Sequence, residues 1–222
     1  TVKRNFNTGK MILIINTGSS SIKYKLFDND FSEVISGNFR VEGKNYSKSI
    51  ADIIAQTHGY IDDIKIIGHR VVHGGNDADE IMPVSLDTMK IIKKYSPLAP
   101  LHNPPAAEVI KIAIEKFPQT RQFAAFDTAY FKNLPKFVKT YPINREIAEK
   151  YSIFKYGFHG FSHQEMALQF DPNKNRKIVT VHLGAGCSAS AISSGKPIDT
   201  SMGFTPIEGL PMQTRSGDLD PE

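Results

Sequence analysis

Apolar and polar positions change their period along this chain, and each change marks an element. Residues 11–15 form a continuous apolar run, the pattern of a strand buried on both faces. Residues 21–27 alternate instead, with Ile22, Tyr24 and Leu26 on one side and Lys23 and Lys25 on the other. Together they predict a hairpin turning at Gly18, Ser19 and Ser20. Residues 33–39 read as a third strand after an Asp-Asn-Asp turn, and residues 47–57 as a helix with Ile50, Ile53 and Ile54 at helical spacing. Residues 64–72 return to strand character before Gly74 and Gly75, while residues 86–95 and 106–117 are amphipathic helices separated by the proline-rich SPLAPLHNPP. Residues 123–126 and 178–183 are short apolar strands. Three strands followed by alternating helices and strands predict an α/β domain with a mixed sheet.

The stretch IVTVHLGAGCSASAI, from residue 178, repeats the opening order of apolar strand, Gly and hydroxyl turn, and alternating return strand. Two such hairpins suit the gripping of one polyphosphate from two sides. The composition turns polar at Asp171, Pro172 and Asn173, which places a domain boundary there. The expected organisation is a leader or expression remnant over residues 1–10, a first domain over 11–172, and the start of a second over 173–222.

Composition narrows the classes. With 40% apolar and 23% charged residues the chain is an ordinary globular one, and no apolar run approaches the roughly 18 residues of a membrane span. A single cysteine, Cys187, leaves no internal disulfide framework or Cys-rich zinc site, so a reducing, cytoplasmic location is expected. The formal charge of +4 comes from scattered Lys and Arg with no nucleic-acid motif, which favours small anions over nucleic acid or membrane as partners.

Candidate chemistry gathers at turns and strand ends. Backbone N–H groups and hydroxyls at Ser19 and Ser21 can converge on an anion, with Lys23 reaching back over the turn. This is no Walker loop, since GxxxxGK[ST] is absent and a strand follows. Arg70, near a strand end, is either a planar fork for a carboxylate or phosphate or a surface arginine paired with an acid. His69 and His73 have no third metal ligand at useful spacing. Asp127 ends its strand as a functional carboxylate or as an N-cap. His159, between Phe158 and Gly160, either projects from a tight turn or is a packed structural ring. Arg215 is a second anion-binding arginine or a loop residue paired with Asp218.

Taken in order, the words INTGSSSIKY, GHRVVHGG, APLHNPP, FDTAY, YGFHGFSH, HLGAGCS and SMGFTPIEGLPMQTRSGDLDP resemble the acetate kinase family along nearly all of residues 11–221. The resemblance implies a ribonuclease-H-like fold of the actin, hexokinase and Hsp70 type, closing around ATP and Mg²⁺. It implies Asn16 as a magnesium-site residue, and Ser19, Ser21 and Lys23 near the phosphates. Arg70 would bind the acceptor, with Val72, Leu101, Phe158 and Pro206 lining a pocket for its alkyl group. Asp127, His159 and Arg215 would be catalytic, and His182, Leu183, Gly184, Ala185 and Gly186 would form the second nucleotide-phosphate loop.

The implied reaction is reversible phosphoryl transfer from ATP to acetate, giving ADP and acetyl phosphate, in an enzyme that is a homodimer at full length. Its rivals are a propionate kinase of the same family and a non-catalytic nucleotide- or acid-binding fragment. The family pattern has Asn where this chain has Ala185, Gly at Gln213 and Thr at Phe161, and the segment after Gly75 lacks the usual aromatic. It also continues well beyond residue 222, through the adenosine-binding segments, so these 222 residues alone are expected to be inactive.

Overall fold

The computed structural model of the chain describes residues 10–18, 20–41, 43, 45–220 and 222; the expected leader therefore lies, but for Lys10, outside the described residues. Contacts gather the chain into two compact units. The first runs up to Val71 and resumes over Ile81–Ala125, and the second takes Val72–Glu80 and Phe126–Glu222.

The first unit is built on a six-stranded sheet. Its elements are β1 (Met11–Thr17), β2 (Ser21–Phe27), β3 (Glu33–Arg40), α1 (Tyr46–Gln56), β4 (Ile64–Val71), β5 (Ile81–Pro83), α2 (Leu86–Tyr95), α3 (Asn103–Lys116) and β6 (Arg121–Phe126). The strand order is β3-β2-β1-β4-β6-β5. β1, β2 and β3 pair antiparallel, whereas β4 runs parallel to β1 after the α1 crossover, as the change of period predicts. Asn45 starts α1 by accepting from Lys48 N at 3.1 Å, and Ser85 starts α2 in the same way. α3 begins three residues before its predicted start because Pro104 and Pro105 occupy its first turn, where a missing N–H costs nothing.

One face of this sheet holds the core. Leu13, Ile15, Ile22 and Leu26 are fully buried against Ile50 and Ile53 of α1 and Val109 of α3, each such side chain contributing about 1.5–3 kcal/mol. Tyr24 joins them, stacked on Phe39 and donating its hydroxyl proton to Gln56 Oε1. The expectation that β1 is buried on both faces is corrected, because its even positions face away from this core and Ile14 is 37% exposed.

The second unit opens with a 3-10 turn, Asp127–Phe131, followed by α4 (Lys136–Lys139), α5 (Arg145–Lys150), α6 (Gly160–Phe170), β7 (Lys177–Leu183), β8 (Cys187–Ser193) and β9 (Lys196–Thr200). The last three form an antiparallel sheet in the order β7-β8-β9. Both sheets thus open with a three-stranded meander, and the repeat in the sequence is a repeat of architecture. β7 is not buried on both faces as an apolar run suggests: Val179 is 71% and Leu183 79% exposed, alternate positions that share one face of the strand, while Thr180 on the other face is buried. Asp171 closes α6 in a turn, its carboxylate accepting from Asn175 N and Arg176 N. The polar stretch at 171–173 leads through this turn into β7, and the two contact units exchange at residues 71/72, 80/81 and 125/126.

Candidate active site

In the first unit, strand register assembles three of the expected residues. Asn16 of β1 stands opposite Lys23 on β2 and opposite Arg70 on β4. Partners across a sheet project to one face, here the face turned away from the core. Arg70 Nη1 donates to Asn16 Oδ1 at 3.1 Å, so the neighbouring strand orients the guanidinium. The turn beyond them is closed by Gly18 N donating to Ser21 O at 2.8 Å. Lys23 is exposed and Ser21 half-buried, while Ser19 lies outside the described residues. Leu101, in the proline-rich loop, is 65% exposed.

No group of three or more His, Cys, Asp or Glu that could hold a metal occurs among the described residues. The donor expected from sequence is Asn16 Oδ1, a neutral oxygen already accepting from Arg70. Magnesium takes oxygen ligands and keeps several waters or substrate phosphates. These residues therefore fit a magnesium that arrives with phosphate ligands, and not one caged by protein carboxylates.

In the second unit the chain leaves β6 at Asp127, which is buried and lies inside the 3-10 turn; the N-cap is Phe126, so the capping reading of Asp127 is not what the turn uses. The next residue, Thr128, accepts from Gly74 N at 3.1 Å and so joins the segment 72–80 to this unit. Val72 and Phe158 are both buried. The His73 ring meets Phe158 edge-on with centroids 5.5 Å apart, and burial lowers its pKa to about 4.

His159 precedes α6 with φ 58° and ψ 30°, in the left-handed region. A non-glycine residue held there costs of order 1–3 kcal/mol and persists only where its surroundings fix it. The tight turn expected at this histidine is thus the entry to a helix. A Cβ on the following Gly160 would lie 2.0 Å from the Asp127 carbonyl oxygen, so only glycine lets the helix start press against that turn.

Around His159 the polar rings interlock. His159 stacks on His182, with centroids 4.1 Å apart. His182 Nδ1 lies 2.9 Å from Ser162 Oγ, and His159 Nδ1 lies 2.9 Å from Ser188 Oγ. His163, four residues along α6, reaches Ser188 Oγ with Nε2 and Thr180 Oγ1 with Nδ1, both at 2.8 Å. Burial, reinforced by His182, lowers the pKa of His163 to about 4.

β7 and β8 pair as far as Leu183 and Cys187, leaving Gly184, Ala185 and Gly186 as the turn. A Cβ on Gly186 would stand 3.3 Å from His159 Nε2 and 3.7 Å from Arg215 Nη1. The missing side chain thus opens a space onto which an imidazole and a guanidinium both face, a setting suited to an anion. Arg215 is held differently from the Asp218 pairing considered above. Its Nη1 donates to Pro206 O at 3.1 Å, while Asp218 Oδ1 accepts from Gly209 N at 2.8 Å. Tyr141 pins the same loop by donating to Glu208 Oε2 and accepting from Phe204 N at 2.6 Å.

His163, Ser188, Tyr141 and Glu208 escape the residue-by-residue reading. His163 and Ser188 lie inside the words YGFHGFSH and HLGAGCS, where the second histidine and the serine beside the Gly turn were the available signal. Tyr141 carries no such mark.

Comparison with known proteins identifies the family. The family model described as the acetokinase family matches residues 40–222. The acetate kinases of Thermosipho africanus and Desulforamulus reducens are 42% and 39% identical over 95% of this chain. The chain spans only 60% and 62% of their lengths. Among solved structures, a propionate kinase from Francisella tularensis superposes with a TM-score of 0.85 at 35% identity, and Porphyromonas gingivalis acetate kinase with 0.84 at 30%. Each match covers 96% of this chain and 62% of the other. The fold is accordingly of the actin, hexokinase and Hsp70 type, and the chain belongs to the acetokinase family.

Proposed function

We propose that this chain carries the acceptor and phosphate-handling part of an acetate kinase, a cytoplasmic enzyme that transfers phosphate reversibly between ATP and acetate and is a homodimer at full length. The observation that carries the reading is the convergence of His159 and Arg215 on the open space at Gly186. Acetate is ionised at neutral pH, its pKa lying near the value of about 4 of Asp and Glu side chains, so no base is needed. A carboxylate oxygen attacks the γ-phosphorus, the bond to the β–γ bridging oxygen breaks, and ADP leaves with the electron pair. The barrier is repulsion between an anion and a polyanion. Arg70 holds the acceptor carboxylate; Lys23, Ser19 and Ser21 hold phosphate oxygens, as does the segment His182–Gly186 at the end of the β7–β8 hairpin. The resemblance assigns Val72, Phe158 and Pro206 of the second unit, and Leu101 of the first, to the methyl group of the acceptor. His159 and Arg215 stabilise the transferring phosphoryl, where one arginine is worth about 10³ to 10⁵ in rate. Asp127 orients these groups without taking a proton. Mg²⁺, when bound with the nucleotide near Asn16, supplies further neutralisation of phosphate charge.

A propionate kinase is the second reading, favoured by the Francisella tularensis structure. Because the chain spans about 60% of its relatives' length, we also expect these 222 residues alone to bind ATP no tighter than about millimolar. The test is a coupled assay of ADP formation with acetate and propionate, run on this chain and on the longest product of its reading frame. The longer product should turn over, with acetate the better acceptor, and Arg215→Ala should lower kcat at least about a hundredfold while changing the acetate KM far less. A longer product with no turnover, or an Arg215→Ala variant with normal kcat, overturns the reading.

A further inference from the structure

The hydrogen bonds behind His159 run in one direction. Thr180 is buried and its hydroxyl has a single partner among the described residues, His163 Nδ1 at 2.8 Å. A buried hydroxyl proton left without an acceptor is costly, so Thr180 donates and His163 Nδ1 accepts. Burial keeps His163 neutral, and a neutral imidazole with one accepting nitrogen carries its proton on the other. His163 Nε2–H therefore donates to Ser188 Oγ, 2.8 Å away. Ser188 is fully buried, and the only other partner it has among the described residues is His159 Nδ1 at 2.9 Å. Its own proton must go there, which leaves the His159 proton on Nε2, the nitrogen that faces the space at Gly186. A transferring phosphoryl group offers only acceptor oxygens, so this is the tautomer that can serve it without the ring becoming charged.

We propose that His163 is a positioning residue which, with Thr180 and Ser188, fixes His159 as the Nε2–H tautomer, so that a neutral imidazole presents a donor to the transferring phosphoryl group. The purpose of the device rests on the kinase reading above, whereas the wire itself is observable without turnover. His182 stacks on His159, and Arg215 stands on the other side of Gly186.

The experiment is a two-bond ¹⁵N–¹H correlation spectrum of the chain labelled with ¹⁵N-histidine, at about pH 8. His163 and His159 should both report Nε2–H. His159 as Nδ1–H, or either ring averaging between tautomers, overturns the proposal. Thr180→Val removes the first donor while keeping the shape of the side chain. It should move both rings from pure Nε2–H towards a mixture, although Thr180 is not bonded to His159; a change confined to His163 overturns the coupling. Should Thr180→Val fail to fold, the unsubstituted spectrum decides alone. In an active longer product, Thr180→Val should lower kcat about tenfold with an acetate KM within about twofold. Both rings as Nε2–H in a product that never phosphorylates acetate would support the wire and sink the kinase reading.

Discussion

Gly186 illustrates how a residue without a side chain organises those that have one. A Cβ there would stand 3.2 Å from His159 Cε1 and 3.3 Å from Nε2, so the ring would have to give by a few tenths of an ångström. The ring is not free to do so, being stacked on His182 and bonded to Ser188. Gly186→Ala should therefore leave stability within about 1 kcal/mol but lower phosphoryl transfer in the longer product about tenfold, since small misplacements of a reacting group are costly in rate. Denaturant unfolding and the coupled assay together check this, and equal loss in both would mean that the methyl group disrupts the fold instead. The Asn16–Arg70 contact is a second residue-scale device, in which two strands agree on where a guanidinium lies.

At the scale of elements, the loop that carries Pro206 and Arg215 has little regular structure to support it, and Tyr141 supplies what is missing. Its hydroxyl donates to Glu208 and accepts from Phe204 N, and Gly203 packs so closely that a Cβ there would collide with both side chains. Tyr141→Phe leaves the Phe204 N–H and the Glu208 carboxylate without this partner, and should cost about 1–3 kcal/mol in urea unfolding. No loss of stability would show that the loop is held by other means. The elements themselves were largely legible in sequence, because the period changes at residues 47, 64 and 86 mark changes between strand and helix and that at residue 21 marks a hairpin. α6 was hidden, since its apolar positions follow no clean helical stripe and it starts from a left-handed histidine. β5 has only three residues and no pattern to offer. The site was legible where its residues lie in turns rich in Gly, Ser and Pro. It was illegible where a serine or tyrosine acts through a partner distant in sequence, as Ser188 does 29 residues from His159.

At the scale of the molecule, burial holds His69 on β4, His73 after it and His163 on α6 neutral, each with its pKa lowered to about 4 from 6.5. Above about pH 6.5 they are neutral in both folded and unfolded chains and their contribution to stability is complete. As pH falls towards about 4 the unfolded chain takes up protons that the folded chain refuses, so stability is lost across that window. Unfolding near pH 5 should consequently be accompanied by uptake of at least two protons, read from the slope of unfolding free energy against pH; a flat profile between pH 6.5 and 4 would contradict the burial of these rings. The edge of the second sheet has a consequence of another kind. β7 presents Val179, Val181 and Leu183 to solvent along an edge strand, and an exposed apolar edge is a template on which another chain can lay a strand. Self-association of this chain should therefore rise with its concentration, which light scattering along a dilution series checks.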